Sequence, residues 1–115
     1  MKPLSRSKCE ACSADAIKLT ADEIRTLHVE VEDWELITDD NILKLSQRFD
    51  TGNYASSIAF TNKVAELAEE SDHHPLLIVE YGCVTVVWWS HKIKGLHLND
   101  FIMASRTSDA FQNMV

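Results

Sequence analysis

Apolar and polar positions recur with two different periods along this chain, and the changes of period divide it into elements. Ile24, Leu27 and Val31 fall on one face, which predicts a short helix over roughly 21–30. Thr20-Ala21-Asp22-Glu23 marks its start: the hydroxyl can accept from the backbone three residues on, and the carboxylate can reach back. Trp34-Glu35-Leu36-Ile37 reads as a short strand. Ile42, Leu43, Leu45 and Phe49, with Lys44, Ser46 and Arg48 interleaved, read as a second. Thr38-Asp39-Asp40-Asn41 between them is rich in side chains that hydrogen-bond their own backbone, so the two strands form a hairpin.

Thr51-Gly52-Asn53 interrupts the strand period, and Asn53 or a near neighbour is suited to cap a helix. From Tyr54 to Glu70, Ile58, Val64, Ala65, Leu67 and Ala68 recur near helical spacing. Ser71-Asp72-His73-His74-Pro75 ends that helix, because a proline biases the residue before it away from the helical region. Leu76–Tyr81 and Cys83–Trp89 are apolar, β-branched or aromatic and flank Gly82, which predicts two more strands. Asn99 is placed to cap a last helix from about Asp100 to Ala110. The order αββαββα implies an α+β fold: a single domain whose four-stranded antiparallel sheet carries helices on one face. Residues 1–19 show no clear period and read as a tail or arm, leaving 20–115 as the folded domain.

Composition narrows the function. The 115 residues, 45% hydrophobic and 25% charged, suit one globular domain. The net charge of −7, without a Lys/Arg cluster, disfavours a nucleic-acid partner. Lys2, Arg6 and Lys8 are not followed by the apolar stretch of a signal peptide. The runs Leu76–Val79 and Cys83–Trp89 are too short to span a bilayer. A cytoplasmic location with no membrane partner is expected. Three cysteines, Cys9, Cys12 and Cys83, are an odd count that argues against a disulfide framework. Cys9-x-x-Cys12 lacks the second ligand pair of a zinc site, and Cys83 reads as a small buried hydrophobe.

The chemistry concentrates in the histidines. His73 and His74 are adjacent at a helix end, and His91 ends the strand that returns from Gly82. A hairpin turning at Gly82 brings His91 back beside the pair, flanked by Glu69 and Asp72. Imidazoles exchange protons near neutral pH. Taken alone, the pair also reads as solvated surface, His91 as a packed or capping residue, and the three together as a catalytic zinc site. Adjacent histidines must diverge, which makes joint ligation of one ion awkward. Of Trp88 and Trp89, one enters the core and the other covers a surface or the cleft. Trp34 suits either the core or stacking on a ligand.

Glu69-x-x-x-His73-His74-Pro75, then Tyr81, His91 and Asp100 at set spacings, resembles the signature of the pterin-4a-carbinolamine dehydratase family. Cys9-Glu10-Ala11-Cys12, Trp34 and the run from Trp88 to Ala104 are similar to its bacterial branch linked to phenylalanine hydroxylase. The resemblance implies a dehydratase that converts a 4a-hydroxytetrahydropterin to quinonoid dihydropterin and water. It implies no metal and no cofactor of the enzyme's own, and a homodimer or homotetramer. His73, His74 and His91 would be catalytic, with His73 and His91 as acid and base and His74 orienting the substrate. Glu69, Asp72, Trp34, Ser90 and Asp100 would be substrate-binding. The alternative is a non-catalytic pterin-binding or protein-dimerisation module.

Overall fold

The computed structural model describes residues 18–114. Thr20 caps α1 (Ala21–His28) through the reciprocal pair expected: the Glu23 N–H donates to Thr20 Oγ1 at 3.2 Å, and the Thr20 N–H donates to Glu23 Oε1 at 2.9 Å. A 3₁₀ turn, Val29–Val31, follows. Next come β1 (Glu35–Asp39) and β2 (Ile42–Asp50), joined through Asp40 and Asn41 at φ of 55° and 62°. A two-residue turn matched to the strand twist needs positive φ at both positions, and Asp and Asn tolerate it better than most side chains. Asn53 Oδ1 accepts from the Ser56 N–H at 2.8 Å and caps α2 (Tyr54–Ser71). β3 (Leu76–Val79), β4 (Cys83–Trp88) and α3 (Leu98–Met114) complete the chain.

The strands run in the order β1-β2-β4-β3, antiparallel throughout. Leu45 pairs with Trp88 and Phe49 with Val84. These side chains and Val86 pack on Phe60, Val64 and Ala68 of α2 and Phe101, Met103 and Ala104 of α3. The sheet therefore buries one face under two helices, as the alternation in β2 requires. Phe49, Phe60 and Phe111 cluster with ring centroids 4.8–5.2 Å apart, and Trp34 meets Phe49 edge-on at 5.7 Å.

Several boundaries differ from expectation. Trp34 precedes β1, because its N–H donates to the Val31 carbonyl at 3.0 Å and closes the 3₁₀ turn. β3 stops at Val79 rather than Tyr81: the Glu80 N–H donates to the Cys83 carbonyl at 2.9 Å, which puts Glu80-Tyr81-Gly82 in the turn. α3 starts at Leu98, so Asn99 lies inside it and does not cap it. The cap is His97, whose Nδ1 accepts from the Asn99 N–H at 3.2 Å, while its own N–H donates to Asp100 Oδ2 at 2.9 Å.

The Gly82 carbonyl accepts from the Thr51 and Gly52 N–H groups at 2.8 and 3.2 Å, which fastens two turns at one end of the sheet. The start of β3 and the end of β4 meet at the other end. Cys83 is buried; its thiol donates to Glu80 Oε1 at 3.1 Å, and this bond together with burial pushes the thiol pKa up. Of the expected arm, only Lys18 and Leu19 are described, and the Leu19 N–H donates to the Leu96 carbonyl at 3.1 Å. Cys9 and Cys12 lie outside the described residues. Among the described residues no helix is long and apolar enough to cross a membrane.

Candidate active site

The end of α2 decides where two of the histidines point. Asp72 takes the left-handed conformation at φ 50° and ψ 41°. The His73 N–H donates to the Ala68 carbonyl at 3.1 Å, and the Asp72 N–H to Glu69 at 3.4 Å. Those paired bonds are a Schellman motif, which reverses the chain and satisfies the last helical carbonyls. The reversal sends successive side chains in different directions. His73 is buried, at 3% exposure, whereas the His74 side chain is 54% exposed.

His73 Nε2 lies 2.6 Å from Asp100 Oδ1. Asp100 is fully buried in the first turn of α3, and its other oxygen accepts from Ser90 Oγ at 2.8 Å and from the His97 N–H at 2.9 Å. The imidazole stacks on Trp88 with 5.6 Å between centroids and 9° between planes. Trp88 in turn donates its indole N–H to Thr107 Oγ1 at 3.1 Å. His74 Nε2 meets Glu69 Oε2 at 2.8 Å on the surface. Water screens such an exposed pair, so it orients the ring more than it stabilises the fold.

His91 follows β4 in a turn pinched by Ser90 and Gly95, whose backbones pair at 2.8 and 3.4 Å. Its ring stacks on Trp89 at 4.3 Å, and Nε2 donates to the His74 carbonyl at 3.2 Å. Trp89 also carries Lys44 Nζ 3.9 Å from its ring centre, and Lys44 pairs with Asp39 at 3.1 Å. The hairpin therefore returns His91 to the pair, as the turn at Gly82 implies.

A cleft of about 360 Å³ is lined by Asp72, His73, His74, His91 and Lys92. Glu69 braces it from the rim, and Ser90 and Asp100 stand behind it. At 2% and 0% exposure these last two are not among the residues that line the cleft: Asp100 holds His73 directly, and Ser90 holds Asp100. Trp34 is not brought to the histidines. It is buried, donates its indole N–H to Ser108 Oγ at 2.9 Å, and lines a different cleft of about 430 Å³ with Glu30, Glu32, Asp33 and Asp109. That larger cleft holds carboxylates but no imidazole, so of the two only the smaller offers side chains suited to proton transfer near neutral pH. Sequence reasoning passed over Lys92, which no spacing signals, and the separate support that Trp88 and Trp89 give to His73 and His91. Among the described residues no group of His, Cys, Asp and Glu is arranged to hold a metal ion.

The family model for pterin 4 alpha carbinolamine dehydratase matches residues 17–110. The chain belongs to this family. A protein of Nitrosococcus oceani, provisionally named a pterin-4-alpha-carbinolamine dehydratase, is 52% identical over 113 residues, covering 98% of this chain and all of that protein. A second, from Marinobacter nauticus and named in the same way, is 50% identical over 111 residues, 96% of this chain and all of that one. The fold is also that of a transcriptional coactivator/pterin dehydratase from Brucella melitensis. That crystal structure superposes with a TM-score of 0.74 at 23% identity, over 82% of this chain and 98% of the other.

Proposed function

We propose that His73, His74 and His91 carry out the reaction for which the family is named. The protein is a dehydratase of pterin-4a-carbinolamine. The C4a–O bond breaks, the departing hydroxyl takes a proton and leaves as water, and the ring nitrogen N5 gives up its proton as the C4a=N5 bond forms. One group must deliver a proton and another must remove one, and groups that titrate near neutrality suit both tasks. The observation that carries the reading is the convergence of a buried His73 and an exposed His91, from separate elements, on one cleft. His73 serves as base and His91 as acid. His74 orients the pterin, with Glu69 holding its ring and Asp72 at the cleft wall to accept from the pterin's N–H groups.

The substrate arises from an aromatic amino acid hydroxylase, with phenylalanine hydroxylase as the functional partner, and a reductase consumes the product. A cytoplasmic location keeps Cys83 reduced. The chain assembles as a homodimer or homotetramer, a reading supported by edge strand β3, where Leu76 and Ile78 are 45% and 46% exposed. Stopped-flow spectrophotometry of carbinolamine decay tests the activity. His73→Ala and His91→Ala should each lower kcat by about 10²–10⁴-fold. His74→Ala should mainly raise KM, because an orienting contact is shared by ground and transition states. Wild-type rates in all three variants would move the site elsewhere.

A further inference from the structure

We infer that Asp100, held in turn by Ser90 and the His97 N–H, is a positioning residue that locks His73 with its proton on Nε2 and so reserves Nδ1 as the atom that takes the N5 proton. The inference rests on the reading of His73 as the base. An ionised carboxylate only accepts hydrogen bonds, so the 2.6 Å contact from Asp100 Oδ1 requires a hydrogen on His73 Nε2. A neutral imidazole with its hydrogen on Nε2 has its lone pair on Nδ1, the ring nitrogen left for a ligand in the cleft that His73 lines. Asp100 cannot turn away, because Oδ2 is occupied by Ser90 Oγ at 2.8 Å and the His97 N–H at 2.9 Å. The ring cannot tilt easily, because it lies flat against Trp88. When Nδ1 takes the proton from N5, the N5–H pair becomes the C4a=N5 bond and the hydroxyl leaves with the proton of the acid. The imidazolium then sits against the carboxylate, and its Nδ1 proton returns to solvent or to the acid.

Asp100→Asn tests this with little change of shape. The His97 N–H is a fixed backbone donor, so the amide oxygen must face it. The amide NH₂ then points at His73 Nε2, which has to become an acceptor, and the hydrogen moves to Nδ1. Imidazole ¹⁵N resonances, assigned with His73→Ala, read the tautomer directly on the full chain. Wild-type protein should show His73 with hydrogen on Nε2 and bare Nδ1. Asp100→Asn should show the reverse, with kcat lowered about 10²–10⁴-fold and KM within about threefold. Ser90→Ala removes one donor to the carboxylate and should lower kcat roughly 10-fold with the wild-type tautomer retained. Hydrogen on Nδ1 in the wild-type protein overturns the inference, and that measurement stands even if Asp100→Asn does not fold. A wild-type kcat in a folded Asp100→Asn overturns it too. Rate loss in His73→Ala without loss in Asp100→Asn removes the inference alone, whereas a wild-type rate in His73→Ala removes the reading beneath it as well.

Discussion

Trp88 and Trp89 are neighbours in the chain and serve neighbouring histidines from opposite sides of the strand end. Trp88 is fully buried, with His73 against its face and Thr107 on its indole N–H. Trp89 is half-buried and carries His91 and Lys44. Removing a buried tryptophan leaves a cavity, so Trp88→Ala should cost about 3–5 kcal/mol of stability. Trp89→Ala forfeits a stacked pair and a cation–π contact, about 1–2 kcal/mol, but frees His91 to move. A misplaced group can lose up to about 100-fold in rate, so kcat/KM should fall 10-fold or more. Urea denaturation and dehydration rates on both variants separate the effects; equal stability losses would contradict this division. Cys83 has its own prediction. Its thiol donates to Glu80, so the thiol form is favoured and the pKa is raised. Alkylation near pH 8, mapped by mass spectrometry, should label Cys83 more slowly than a model thiol. Glu80→Ala should bring the pKa down and speed the labelling; an unchanged rate would discount the hydrogen bond.

At the scale of elements, the site is made from the ends of a helix, a strand and a second helix. Asp72 holds a left-handed conformation that glycine adopts without strain. Asp72→Gly should therefore keep or raise stability by up to about 1 kcal/mol, while Asp72→Val should lower it by about 1–3 kcal/mol. Thermal unfolding decides this, and a valine variant as stable as wild type would deny the Schellman turn its role. The capping box at Thr20, the break at Pro75 and the hairpin at Asp40-Asn41 were legible because each depends on residues a few places apart. The start of α3 was not. His97 is an uncommon cap, and it works here because Asp100 reaches back to its N–H while also holding His73. The Asp100 and Ser90 pairing joins residues 10 apart through the interior, which no local pattern displays. Spacing alone therefore marks Asp100 as part of the candidate site without saying that it is buried behind His73.

At the scale of the whole molecule, β4 lies between β2 and β3, so the strand that delivers His91 is anchored on both sides. The two hairpins were readable from their turns, but the β2–β4 pairing that joins them is long-range and left no local trace. Trp34 shows the same limit: its packing on Phe49 and its bond to Ser108 come from distant parts of the chain. The order leaves β3 at an edge with Leu76 and Ile78 exposed. Light scattering should give a particle of two or four chains. Ile78→Lys, a charge of the kind that protects natural edges, should shift it towards single chains with the circular dichroism spectrum intact. A wild-type protein that runs as one chain would refute the assembly.

The turn closed by Ser90 and Gly95 bears on the thermodynamics of binding. Four residues between two paired backbones form a small ring, and Leu19 fastens its exit from outside through Leu96. Fixing one residue's backbone costs about 1–2 kcal/mol in conformational entropy. Had His91 stood on an open loop, several kcal/mol would be lost each time a substrate stilled it. The ring meets that cost once, during folding, and with His91 in the proposed role an arriving pterin would find its imidazole already in place.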